Sequence, residues 1–515
     1  MDAIRGEPDA VNVLVIGAGI AGIGAAYYLQ RDQPGRSFAI LEARGASGGT
    51  WDLFRYPGVR SDSDLHTFGY EFRPWREREA LAPAGKILSY LRDTAAEYGI
   101  DRHIRYHRRV LAAAWSTPEA RWTVDVEHTD TGERSTLTCD WLFCASGYFR
   151  YDEGFTPRFP GRKRFAGPVV HPQHWPADLD YRGKRVVIIG SGATAVTLVP
   201  TMAGDAAHVT MLQRTPTYVL SVASQDKWDL RLRRLLGEDC AFAVTRRKFL
   251  LRQWALWRLC QRYPKTARWL IRRLTIRRLP AGYPVDEHFN PPYGPWDQRL
   301  CAAADGDLFR VIRRGTASVV TGRIATFTEA GVTLESGEQL AADVIVTATG
   351  LNMQALGGIA LTVDGQPVRP ADTFAYKGIM LSGVPNLAFA IGYTNSSWTL
   401  KVGLLCEHFC RLLDHMATHG YDTALPVPAD PAMTPRPFFD FGGGYVQRAL
   451  DQLPRQGGRA PWLISMSYHE DVRLLRRRGV EDPELHFRAG RDAGASTPPG
   501  PADLELAGQP SVRDR

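Results

Sequence analysis

Two glycine-rich turns have the composition and spacing needed to hold a dinucleotide. The first, Gly17-Ala18-Gly19-Ile20-Ala21-Gly22, follows the apolar run 11–16 and opens a helical pattern at 24–29. The second, Gly190-Ser191-Gly192-Ala193-Thr194-Ala195, follows Arg185-Val-Val-Ile-Ile189 and opens another helical stretch. Glycine in such a turn lets backbone approach a pyrophosphate, and the helix N-terminus behind it supplies N–H donors and a favourable dipole. One such turn is a weak signal, whereas two in strand–turn–helix context are a strong one. What ends each following strand separates the ligands. Glu42 stands twenty positions after Gly22, where a carboxylate accepts the two ribose hydroxyls of FAD or NAD and repels a 2′-phosphate. The equivalent place in the second unit reads Gln213-Arg214-Thr215, without an acid. Arg214 can grip a 2′-phosphate through forked hydrogen bonds, which selects NADP over NAD. The expectation is FAD on the first unit and NADPH on the second.

Two longer stretches narrow the chemistry. Residues 48–62 read Gly-Gly-Thr-Trp-Asp-Leu-Phe-Arg-Tyr-Pro-Gly-Val-Arg-Ser-Asp, and residues 165–176 read Phe-Ala-Gly-Pro-Val-Val-His-Pro-Gln-His-Trp-Pro. They resemble the longer and shorter fingerprints of the Baeyer–Villiger monooxygenases, class B flavoprotein monooxygenases. The related N- and S-oxygenating flavoproteins usually lack the terminal Trp-Pro. Stretches 56–70, 171–181, 188–200, 295–300 and 392–401 resemble the ethionamide-activating subgroup, and the likeness extends over all but the tail after about residue 490.

The resemblance implies that NADPH reduces FAD and that the reduced flavin takes up O2 as a C4a-peroxide. Its anion then attacks a ketone to give an ester or lactone, and the protonated form oxygenates sulfides or thioamides. Gly49 allows tight passage past the flavin, Thr50 offers a hydroxyl, and Trp51 a flat apolar wall. Asp62 follows the Pro57-Gly58 turn and so lies on a loop. By resemblance it orients a catalytic arginine that stabilises the anion, a role carried to Arg299 in Trp296-Asp-Gln-Arg299-Leu. A guanidinium within about 4–6 Å favours the charged form of an acid. His171 is given a hinge role rather than that of a base. Trp398 is expected where the first domain faces the nicotinamide, a core tryptophan being the plain alternative, and Val110 is placed with the flavin-contacting residues. A disulfide reductase shares both cofactors, but the seven cysteines contain no C-x-x-C pair.

These residues require an α/β chain with two Rossmann-like dinucleotide-binding domains, the second inserted in the first. Residues 122–126 and 137–144 read as hairpin strands of the first sheet, and Thr333-Leu334 with 343–350 as the close of the second. The expected division is 1–150 with 350–490 for FAD, 151–225 with 290–349 for NADP, a basic helical insertion at 226–289, and a disordered tail at 491–515.

A length of 515 residues suits two or three domains, and 44% hydrophobic with 23% charged residues excludes a disordered or fibrous chain. No run of about 18 apolar residues offers a membrane span, and a cytoplasmic location is expected, with peripheral membrane contact as an open alternative. Of the net charge of +8, residues 227–278 carry +13 (sixteen Lys/Arg against three acids) and the remainder −5. Trp228, Trp254, Trp257 and Trp269 lie among these cations. Such a stretch can rest on an anionic membrane surface, or it can turn its tryptophans inward and leave only arginine outside. No nucleic-acid-binding motif accompanies the charge.

Overall fold

The computed structural model describes residues 9–298, 300–440 and 442–490. The expected tail at 491–515 and the candidate arginine, Arg299, lie outside the described residues. Strand β1 (Ala10–Ile16) leads through helix α1 (Ile20–Asp32) to a parallel neighbour, β2 (Phe38–Leu41), with Ile16 beside Leu41. The short β3 (Ile104–Arg105) extends this edge. Strands β4 (Arg108–Ser116), β5 (Arg121–His128) and β6 (Arg134–Cys144) form an antiparallel meander that returns β6 parallel to β1. The expected hairpin is therefore present. β1 is a continuous apolar run because both faces of its sheet are covered, with Val13 and Val15 in one core cluster and Leu14 and Ile16 in the other.

The chain leaves this sheet through β7 (Phe149–Gly154). A second, five-stranded sheet follows, built from β8 (Val169–Val170), β9 (Arg185–Ile189), β10 (His208–Gln213), β11 (Ala317–Thr321) and β12 (Val344–Thr347). It is parallel throughout, in the order β11-β10-β9-β12-β8, with α2 (Ala193–Met202) crossing from β9 to β10. Residues 331–334, expected to close this sheet, instead form the middle strand of a separate three-stranded antiparallel sheet, since tight turns on either side pair them with their sequence neighbours. The chain returns through β13 (Leu351–Met353), antiparallel to β7, and β14 (Leu387–Phe389) rejoins the first sheet beside β6. The second Rossmann-like unit is thus inserted in the first.

Between β10 and β11 the basic stretch forms α3 (Lys227–Leu236), α4 (Glu238–Arg262) and α5 (Pro264–Ile276). Their ends are written in the sequence. Asp226 caps α3 by accepting from the Trp228 and Asp229 amides, Gly237 at φ 76° separates α3 from α4, and Pro264 starts α5. Phe242, Phe249, Ala267 and Ile271 occupy the buried faces. Trp228, Trp254 and Trp269 are exposed and Trp257 half-buried, so the reading in which the tryptophans turn inward does not hold. Helical spacing leaves only every third or fourth side chain facing the body of the protein, and these other residues fill those places. The later helices α6 (Asp307–Arg314) and α7 (Trp398–His419) pack on the second and first units respectively.

Candidate active site

The carboxyl ends of β1 and β2 open onto a cleft of about 610 Å³. Gly19 begins α1, and no side chain caps its first-turn amides. Gly22 is fixed by contact: a Cβ there would lie 1.9 Å from the Gly17 carbonyl oxygen. The buried Glu42 accepts from the Ala18 amide at 2.9 Å through one carboxylate oxygen and from the Arg44 amide at 3.0 Å through the other. A carboxylate offers about four acceptor positions, so each oxygen keeps one for a ribose hydroxyl. Burial pushes the Glu42 carboxyl up, while these two amides pull it down. The residues present therefore suit an FAD: an uncapped helix end for the pyrophosphate and a held carboxylate for the ribose.

The first fingerprint forms the opposite wall. Thr50 and Trp51 begin a short helix at 50–53, where the Thr50 hydroxyl lies 3.1 Å from that of Tyr151 and the Trp51 ring meets Phe68 edge-on at 5.7 Å. Gly49, Asp62 and Val110 line the same cleft. Trp398, the first residue of α7, reaches it too, with its ring 4.8 Å from that of Tyr148. Gly17, Gly19, Ala21, Glu42, Gly49, Thr50, Trp51, Asp62, Val110 and Trp398 thus share one cavity. Gly22 lies behind it as packing.

Several lining residues carried no sequence signal of their own. Arg44 binds Asp52 at 2.5 Å and donates to the Gly49 carbonyl at 3.3 Å, locking the fingerprint turn. Tyr393 lines the cleft while its hydroxyl donates to the buried Asp471, which also pairs with Lys401 at 3.0 Å. Arg44 lies two residues beyond Glu42, and that proximity was the available clue. Tyr393 and Asp471 are joined only by the fold.

The second glycine turn repeats the first. At φ +135°, Gly190 passes so close to Ala348 that a Cβ would meet its carbonyl oxygen at 2.2 Å. Gly192 begins α2, again with no side-chain cap, followed by Ala193, Thr194 and the buried Ala195. The Ser191 hydroxyl lies 2.8 Å from that of Thr217. Gln213 turns inward, its amide donating to the His288 carbonyl at 2.8 Å and the Thr321 hydroxyl at 3.0 Å. Arg214 beside it is exposed.

Fingerprint residues also join the two units. The Tyr56 phenol, pushed up to about 12 chiefly by burial, hydrogen-bonds to Thr194 at the start of α2, and Arg60 pairs with Asp307 of α6 at 2.6 Å. In the second fingerprint, His171 accepts from the Gln173 amide at Nδ1 and lies 3.1 Å from the Gly350 carbonyl through Nε2. Nε2 therefore carries the proton, and the ring is neutral. It sits where β7 and β13, the outgoing and returning connections, pair with each other.

A model of the flavin-binding monooxygenase-like family matches residues 77–249, and one of an NAD(P)-binding Rossmann-like domain matches residues 15–77. The chain is 53% identical over 478 residues to the FAD-containing monooxygenase EthA of Mycobacterium tuberculosis, covering 93% of this chain and 97% of that one. It is 50% identical over 484 residues to the putative FAD-containing monooxygenase MymA of the same organism, with 93% and 97% covered. With the probable FAD-binding monooxygenase AlmA of Acinetobacter baylyi it shares 45% over 479 residues, 93% and 96% of the two chains. Among solved structures, an oxidised steroid monooxygenase bound to NADP matches with a TM-score of 0.74 at 21% identity, covering 93% of this chain and 100% of that one. An open cyclohexanone monooxygenase matches equally, with a TM-score of 0.74 at 20% identity and coverages of 93% and 100%. At that identity they share the fold. The chain belongs to the family of FAD-containing flavin monooxygenases that includes EthA and MymA.

Proposed function

We propose that the protein is an FAD- and NADPH-dependent Baeyer–Villiger monooxygenase that inserts one atom of O2 beside a ketone carbonyl, with sulfides or thioamides as secondary substrates. In this reading residues 1–150 and 350–490 hold FAD and residues 151–225 and 290–349 hold NADPH. The observation that carries it is the meeting of Glu42, Thr50, Trp51, Asp62 and Trp398 in one cleft, the dinucleotide carboxylate with the fingerprint residues.

The flavin, when bound, supplies hydride acceptance and oxygen activation. The chain supplies position and charge. Glu42 accepts the ribose hydroxyls, and the α1 amides meet the pyrophosphate. Trp51 and Trp398 exclude water from the reacting face, which strengthens every charge interaction there. Asp62 would orient the Arg299 guanidinium, whose fixed positive charge would favour negative charge where oxygen transfer takes place. Arg214 secures the 2′-phosphate of NADPH, and His171 holds the paired connections between the units.

Arg299→Ala is expected to leave reduction of bound FAD by NADPH nearly unchanged, while ester formation from a ketone falls by about 100- to 1000-fold. Stopped-flow absorbance and product analysis read the two steps separately. Near-normal ester formation would remove Arg299 from the mechanism. The second reading is a flavin N- or S-oxygenase that yields sulfoxides and no ester; the complete Trp175-Pro176 ending of the second fingerprint favours the first.

A further inference from the structure

Among the described residues, the eleven large apolar side chains that stand exposed all lie between 228 and 276, on α3, α4, α5 and the Tyr263 link. Elsewhere among the described residues the large hydrophobics are buried or half-buried. This concentration coincides with the stretch that carries +13 on a chain whose remainder is −5.

The arrangement repeats on each helix. On α3, Arg231 lies over the Trp228 ring at 5.7 Å, with Leu235 one turn further. On α4, Arg258 lies over Trp254 at 5.2 Å, beside the exposed Leu251. On α5, Arg273 lies over Trp269 at 5.3 Å, with Leu270 and Leu274 exposed around it. Each helix is anchored from its other face. Arg246 donates to the His66 and Gly69 carbonyls, Gln253 to Asp64 at 2.6 Å, and Arg233 to the Trp75 carbonyl. Arg272 pairs with Asp286 at 2.6 Å. The outward tryptophans are thus held on a fixed scaffold.

Three tryptophans backed by arginine, with leucine and isoleucine between them, ask for an occupant that is negative at its surface and apolar beneath. A second copy of this chain would set +13 against +13. A nucleic acid would satisfy the arginines and leave Leu235, Leu270, Leu274 and Ile276 unused. An anionic lipid bilayer satisfies both: phosphates take the guanidinium groups, and Trp and Leu enter the interfacial layer. No helix among the described residues is long and apolar enough to cross a membrane, which agrees with helices that lie on the surface.

We propose that α3, α4 and α5 form a docking surface for anionic lipid bilayers. α4 also joins this surface to the cleft, since Gln253 accepts from the Ser396 hydroxyl at 2.5 Å and Ser396 lines the cleft. An apolar substrate dissolved in lipid therefore meets the enzyme on the side from which α4 reaches the cleft.

The test is flotation of the full-length, FAD-loaded protein with vesicles. Phosphatidylcholine vesicles containing phosphatidylglycerol are expected to carry at least about tenfold more protein than phosphatidylcholine alone, and raised salt should reduce the difference. Trp228→Ser/Trp269→Ser/Leu274→Ser and, separately, Arg273→Glu/Arg277→Glu should each cut flotation by about tenfold or more. All five positions are exposed and lie away from the cleft, so bound flavin, melting temperature and NADPH oxidation with a soluble substrate should persist. Equal partitioning onto both vesicle types, or wild-type flotation of the triple variant, would overturn the proposal. So would sensitivity to charge reversal alone, which marks a general polyanion site. A vesicle-indifferent dimer that the triple variant dissociates would assign the face to a second copy.

Discussion

At the scale of single residues, the account turns on which side chains are committed to the protein and which face a ligand. Gln213 and Arg214 are adjacent, yet Gln213 spends its amide on His288 and Thr321 while Arg214 is exposed at the end of β10. Arg214→Ala should therefore raise the NADPH KM by about tenfold, the worth of one charge-assisted contact, and leave the NADH KM nearly unchanged. Steady-state kinetics with both nucleotides check this, and an unaltered preference would contradict the assignment of the second turn. The Lys401–Asp471 pair behaves differently, being 3% and 2% exposed and joined by the Tyr393 hydroxyl. Asp471→Asn keeps the volume but leaves the Lys401 ammonium buried without its counter-charge, a loss of about 3–5 kcal/mol. Chemical denaturation measures it; a loss below about 1 kcal/mol would show that the ammonium finds another partner or water.

At the scale of elements, the two strand–turn–helix units were legible because each is local: an apolar run, a glycine turn and a helix within some thirty residues. The hairpin β5–β6 was legible for the same reason, whereas β4 beside it was not. The β7–β13 ribbon was not, since it pairs Phe149 with Met353 across two hundred residues and neither strand has a pattern of its own. Nor was the bond from Tyr56 to Thr194, which depends on how the fingerprint turn meets α2. Whether the tryptophans face outward stayed open between two readings, because helical spacing gives a face without saying whether anything covers it. His171 ties these connections together and yields a pH prediction. Burial holds its pKa below the usual value, so the folded state favours the neutral ring, whose Nδ1 accepts from Gln173. A group depressed in this way stabilises fully above its unfolded value of about 6.5 and loses that contribution as pH falls below it. His66, His288 and His408 shift in the same direction, so the informative quantity is the difference between wild type and His171→Phe. Denaturation midpoints of the wild type should fall more steeply below about pH 6.5 than those of the variant; parallel curves would deny His171 this role.

At the scale of the whole molecule, the chain is two Rossmann-like sheets, one inserted in the other, with the first fingerprint strapped between them by Tyr56 and Arg60. The order of the parts follows from the chemistry they serve. The hydride donor and acceptor must face each other across a boundary, and the segments that cross it must be few and held, as β7 and β13 are. The sequence carried the ligand logic of the cleft through Glu42, Thr50, Trp51 and Asp62, whereas the supporting network of Arg44, Tyr151, Tyr393 and Asp471 required the fold. The most direct test of oxygen insertion uses the purified yellow protein with NADPH, a ketone panel and isotopically heavy O2. The account predicts an ester or lactone containing one heavy oxygen atom per molecule, formed in step with NADPH consumption. Heavy label confined to hydrogen peroxide and sulfoxides, with every ketone returned unchanged, would contradict it.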